Sequence, residues 1–146
     1  MTDAPVKAPW HTWLIGVFAL LFNAIGVFDF VMSMVKGAEY QASAGMTPAQ
    51  IAHYQAMPPW MTLVWAVGVF GAFLASILLL RRKKLAWPVF VVSLTAFLVS
   101  LLYTYVFTGG GAVMGRQMAI ASAVIAGLLV FFSGYSRFMT ARGVFR

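Results

Sequence analysis

The sequence contains no cysteine. That absence removes disulfides, thiolate nucleophiles, iron–sulfur ligation and cysteine-type zinc sites together, and leaves the redox compartment open. Acidic residues are almost as scarce: Asp3, Asp29 and Glu39 are all there are. Acyl transfer, phosphoryl transfer and glycoside hydrolysis each need a constellation: a base beside a nucleophile, a phosphate loop, or paired carboxylates. None can be assembled from this chain. The run Gly109–Gly111 lacks the Lys-Ser or Lys-Thr of a phosphate cradle. The two histidines, His11 and His53, flank opposite ends of an apolar stretch that spans about 30 Å, so they cannot share one haem or metal within a subunit. A non-catalytic protein without a cofactor is the expectation.

What the sequence has in excess is apolar residues, 62% of 146 positions, with only 9% charged against about 25% in a soluble domain. A water-soluble fold of this size could not hide that much apolar surface. Lipid is therefore the expected solvent of a single domain, residues 1–146. Four stretches reach the roughly 20 residues that a bilayer crossing needs: Trp13–Val35, Trp60–Leu80, Leu85–Val106 and Met118–Phe138. Backbone amides in lipid must be satisfied within the segment, and the alternation of a membrane β-barrel is missing, so the spans read as helices. The fold class is all-α, a four-transmembrane-helix bundle.

The connections agree with that count. Arg81–Lys84 make a short turn that sets the second and third helices side by side, and Gly109–Gly111 link the third to the fourth. The long connection Lys36–Pro59 contains Thr47-Pro48-Ala49-Gln50, a capping box with proline at the first helical position. It predicts a short amphipathic helix, Ile51–Met57, in the outer loop, lying on the membrane surface or capping the bundle. Ala42-Ser43-Ala44 resembles a signal-peptidase site, but the preceding apolar region is too long and its basic flank too weak.

The net charge of +7 fits membrane topology rather than nucleic acid, for the basic residues cluster at span ends. With the Arg81–Lys84 turn inside, Lys7, that run and Arg137, Arg142 and Arg146 lie on the cytoplasmic side. Only Lys36 and Arg116 fall outside. The expected location is a bacterial inner membrane, with both termini cytoplasmic.

Membrane helices associate through close backbone approach and polar contacts. Gly68, Gly71, Ala72, Ala75 and Ser76 offer this on the second helix, and Ala119, Ala123 and Gly127 on the fourth. On the first, Thr12, Gly16, Ala19, Asn23, Gly26 and Ser33 share a face. Asp29 is the only acid within a span, and such groups are functional or paired. Asp29, Asn23, Ser33 and Arg116 form the candidate ion or polar site, with Arg116 or Lys36 as the structural partner of the carboxylate. Tyr54, Trp60, Tyr103 and Tyr105 form a candidate outer aromatic pocket for a quinone, lipid or pigment, or else an interfacial belt.

Several residues carry a family resemblance: Asn23, Gly26 and Val27; Pro59–Trp60; Gly68 and Gly71 before Leu78–Arg82; Ser93; and Ala141–Arg142–Gly143. Over nearly its whole length the chain resembles a group of uncharacterised small four-helix bacterial inner-membrane proteins often labelled "sugar transporter" by automatic means. The resemblance implies their topology and carries no functional residue. From the residues, the leading expectation is an accessory or stabilising subunit of a larger assembly, or a small homo-oligomer, in contact with lipid and other membrane helices. The alternatives are a small solute transporter or channel using Asp29, and a quinone- or pigment-binding protein.

Overall fold

Prolines punctuate the helices. Pro48 and Pro59 each occupy a first helical position, where the missing N–H costs nothing, and Pro9 precedes the first helix. The computed structural model describes residues 6–146. Its elements are α1 (Trp10–Lys36), α2 (Ala38–Ser43), α3 (Pro48–Gln55), α4 (Pro59–Leu80), α5 (Ala86–Leu102) and α6 (Gly111–Ala141), with a π-helical turn at Tyr103–Phe107 closing α5. Four of these are long and apolar enough to cross a membrane: α1, α4, α5 with its π turn, and α6. The protein is an all-helical, multi-pass integral membrane protein.

The long helices run up and down in the order α1, α4, α5, α6, each packed on the next. The α1–α4 seam is made by small residues. Gly16 lies so close to α4 that a Cβ there would come within 2.5 Å of Leu80 Cδ2 and 2.9 Å of Leu79 Cδ2. Asn23 Nδ2 donates to Ser76 Oγ at 2.9 Å, and Ser76 donates in turn to the Ala72 carbonyl at 2.8 Å. The α4–α5 seam repeats the device: Ser93 Oγ donates to the Gly68 carbonyl at 2.6 Å, and Gly71 lies against Ser93. Removing bulk where helices meet is the general route to association in lipid, because apolar burial gains little there.

Helices α1 and α6 close the ring only near the termini. Tyr135 Oη is hydrogen-bonded to His11 Nδ1 at 2.7 Å and to Thr12 Oγ1 at 2.8 Å, and Phe18 meets Phe132 below them. The C-terminal residues finish this end. Gly143 terminates α6 with a Schellman pair of bonds (Val144 N–H to Met139, Gly143 N–H to Thr140), and the tail turns under the bundle. Arg146 then exchanges backbone bonds with Arg82 and Lys84, while Val144 and Phe145 are buried in the core.

The main departures from the sequence expectation lie in the outer connection and at the start of α6. The loop helix begins at Pro48 and ends at Gln55, rather than running Ile51–Met57, because the helix starts directly after its Thr47 cap. Both halves of the capping box form, Gln50 N–H to Thr47 Oγ1 at 3.2 Å and Thr47 N–H to Gln50 Oε1 at 3.0 Å. A further short helix, α2, precedes it, entered through Gly37. Finally, α6 starts at Gly111 rather than Met118, and is interrupted at Gly115, whose φ of 76° and ψ of 177° only glycine adopts readily. The break leaves carbonyls without helical partners. Gln50 Nε2 reaches across from α3 to two of them, Val113 O at 3.3 Å and Met114 O at 3.0 Å. So α3 caps the far end of the bundle and is tied to the first turn of α6.

Candidate functional site

Away from the termini α1 and α6 part, and the space between the four long helices becomes a crevice of about 630 Å³. Helical phase decides which residues face it. From α1 come Phe22, Asn23, Gly26 and Asp29; from α4, Met61, Trp65, Gly68 and Ala72; from α5, Phe97, Ser100, Leu101 and Thr104. The α6 contribution is Met114, Met118, Ser122 and Ile125, and the short helices add Tyr40 and Tyr54. Each set repeats at three- and four-residue spacing, one stripe per helix.

The crevice is blind at one end and open on one side. Its floor is the seal already described, where Phe18 and Phe132 meet and Leu129, 3% exposed, closes over them. Its open side lies between α1 and α6, since wall residues on both helices remain exposed: Phe28 at 59% and Val124 at 52%. In a bilayer that side faces lipid. The size and the apolar lining, with few polar groups, suit a small amphiphilic ligand.

The polar groups gather near the mouth. Tyr40 Oη donates to Asp29 Oδ1 at 3.0 Å, and the Tyr40 ring meets Phe28 edge-on. Tyr54 packs against Trp65 with ring centroids 5.8 Å apart. The Tyr54 phenol is pushed above its ordinary value, first by burial, then by the charge of Asp29 and by Tyr105; Tyr40 is raised by desolvation and by the carboxylate that it donates to. Both are therefore neutral donors at ordinary pH. Tyr105 Oη is buried on the crevice wall without a protein partner. Asp29 lies seven residues before the end of α1, about 10 Å of rise, which sets it near the polar boundary rather than at mid-membrane.

The candidate residues of the sequence divide as follows. Asp29 and Asn23 line the crevice; Ser33 and Arg116 do not. Ser33 is buried one turn beyond, its carbonyl accepting the Gly37 N–H that ends α1. Arg116 is exposed just past the Gly115 break, and the hydrogen bond to Asp29 comes from Tyr40 rather than from Arg116 or Lys36. Of the aromatic group, Tyr54 and Tyr105 face the crevice. Trp60 and Tyr103 instead meet edge to face outside it, centroids 5.5 Å apart, because Tyr103 and Tyr105, two residues apart on a helix, point to different sides. Gly68, Gly71 and Ala72 lie at helix contacts. Ala119, Ala123 and Gly127 do not: all three are exposed, and a Cβ on Gly127 would meet nothing within 4 Å. The α6 face that packs inward is Leu129, Phe132, Ser133, Ser136 and Met139.

Sequence reasoning missed Trp65, Phe28 and the methionines Met57, Met61, Met114 and Met118. The signal for two of them was present: Met61 and Trp65 repeat with Gly68 and Ala72 at the spacing of one helix face. No family model, no curated protein and no solved structure matches this chain. The fold itself defines its class, a four-helix integral membrane protein with a lipid-facing crevice.

Proposed function

We propose that the protein is a non-catalytic membrane binding protein, which takes an amphiphilic molecule from the bilayer into the crevice. The observation that carries this is the crevice itself: a blind space of ligand size, open to lipid, walled by aromatic and methionine side chains, with polar groups confined to its mouth. Methionine and aromatic walls adapt to irregular apolar shapes. A sugar would call for many more hydrogen-bonding groups than this lining supplies, which favours an amphiphile over the label borne by the proteins the chain resembles. The clustering of basic residues at the end that holds the termini supports a bacterial inner membrane with that end cytoplasmic. The crevice then opens in the outer leaflet. The transporter alternative uses the same Asp29 and Asn23 and further requires the Tyr135 and Phe132 seal to open.

The test is extraction of the protein from its native membrane in mild detergent, followed by mass spectrometry of whatever stays bound. One amphiphile at near-stoichiometric ratio, lost when Ser122→Phe fills the crevice, is expected. Only bulk lipid, unchanged in that variant, would overturn the reading.

A second reading, an accessory subunit or homo-oligomer, is favoured by the uncovered small-residue face of α6: Ala119, Ala123, Gly127 and Gly134. Native mass spectrometry decides it. A mass above 16.0 kDa that collapses to monomer in Gly127→Leu supports it, and a monomer in both forms removes it.

A further inference from the structure

From the charge and ring arrangement at the mouth we infer that the ligand class is a lipophilic organic cation, held by Asp29 and the surrounding aromatic rings. The inference rests on the crevice being a binding site and adds the sign of its ligand. The chain carries ten Lys and Arg against three acids, yet none of the ten, and neither histidine, lines the crevice. One acid does. In a strongly basic protein this leaves the crevice as a locally acidic space, with a carboxylate whose protein partner is the neutral hydroxyl of Tyr40.

The rings point the same way. Phe28, Tyr40, Tyr54 and Trp65 all line the wall that holds Asp29. Tyr40 touches the carboxylate and Phe28, while Tyr54 feels the Asp29 charge and packs on Trp65. Aromatic faces attract cations, most strongly where water is excluded, and a carboxylate among rings is the combination that recognises quaternary and aryl onium groups. Below the mouth the crevice is apolar down to Phe97 and Leu129, which suits the hydrocarbon or aryl body of such a molecule. Two other classes fit less well. An anionic amphiphile would set its charge against Asp29 with no basic residue to offset it. A zwitterionic phospholipid would bring a phosphate that no lining side chain pairs.

The experiment uses the full-length protein in nanodiscs of zwitterionic lipid and three aryl probes: tetraphenylphosphonium, neutral triphenylphosphine oxide and anionic tetraphenylborate. Binding is read by tryptophan fluorescence and by equilibrium dialysis against empty nanodiscs. Tetraphenylphosphonium is expected to bind at least about tenfold more tightly than the oxide, and tetraphenylborate not to bind above the lipid background. Asp29→Asn is expected to weaken the phosphonium about tenfold and leave the oxide unchanged, while Asp29→Glu restores the phosphonium. Oxide and phosphonium binding equally, both indifferent to Asp29→Asn, would overturn the cation assignment and leave the binding proposal standing. None of the three binding would overturn both. The wild-type comparison of the three charges decides the question even if Asp29→Asn fails to fold.

Discussion

The two halves of this bundle are made of the same four helices and differ in almost everything else. Toward the termini, Thr12, Gly16 and Ala19 of α1 meet Ala75, Ser76 and Leu79 of α4. Ala86 and Phe90 of α5 complete the layer with Phe132 and Met139 of α6, and nearly every buried side chain of the long helices belongs to this half or its edge. Away from the termini only Met61, Met114, Ser33 and Gln41 of the described residues are comparably buried, and the centre is a crevice. Residue size accounts for the difference. Small side chains with interhelical hydrogen bonds draw helices together, whereas Phe22, Trp65, Phe97 and four methionines hold them apart. The closed half is a clamp, and the open half is the space the clamp maintains.

The strongest way to break this contrast is to put bulk into the clamp. Gly16→Val would push a branched side chain into Leu79 and Leu80, and Leu79 is fully buried. Overpacking of this kind costs about 1 to 3 kcal/mol, and here the upper end is expected because backbone separation is involved. The measurement is unfolding of the purified protein in mixed micelles. Stability within 0.5 kcal/mol of wild type (roughly the scatter of neutral substitutions) would show that the α1–α4 seam is not what holds the bundle.

A smaller effect is expected at the border between the halves. Asn23 both lines the crevice and donates to Ser76, so it belongs to clamp and site at once. Hydrogen bonds between membrane helices contribute about 0.6 kcal/mol on average and about 1.7 at most. A double-mutant cycle of Asn23→Ala and Ser76→Ala should return a coupling in that range. Zero coupling would mark Asn23 as a residue of the site alone.

How far the sequence led follows the same division. The clamp was legible because its signals are local: Gly16, Ala19 and Asn23 on one face, and Gly68, Ala72 and Ser76 on another, lie at spacings that need no tertiary knowledge. The Thr47 capping box gave the loop helix for the same reason. The crevice was legible only in Asp29, Asn23, Tyr54 and Tyr105. Grouping Tyr103 with Tyr105 went by depth alone: residues two apart on a helix do not share a face, and the chain then turns π-helical, the Thr108 N–H bonding the Tyr103 carbonyl at 3.0 Å. The Gly115 break likewise has no local signal, since glycine is common in membrane helices. Ala119, Ala123 and Gly127 show the limit most plainly. A ladder of small residues says that a face can pack closely, not which neighbour it meets.

At the mouth the expected effect is smaller and local. Gln50→Ala removes the donor that satisfies Val113 and Met114 beside the Gly115 break. A hydrogen bond of this kind contributes about 1 kcal/mol. Because carbonyls near the bundle end can turn to water, the loss should appear as faster amide exchange over residues 111–118, with little change in global unfolding. Unchanged exchange there would mean that α3 is not what holds the first turn of α6.

The smallest effect is spectroscopic and concerns the rings at the mouth. Tyr40 and Tyr54 both have phenols raised above 10.0, each by desolvation first and by Asp29 after it. An acid whose folded value is raised holds its proton longer in the native state than in the unfolded chain. Its contribution is fully present below the unfolded value near 10 and is lost as pH climbs through the folded value, so stability must fall with rising pH in that alkaline window. Ultraviolet titration of the five tyrosines should therefore show a late-ionising component, shrinking in Tyr54→Phe and shifting to lower pH in Asp29→Asn. The second shift separates the carboxylate's charge from burial, because Asn keeps the packing and removes only the charge. If Asp29→Asn leaves the titration where it was, the carboxylate does not act on these rings, and the mouth of the crevice is aromatic without being acidic.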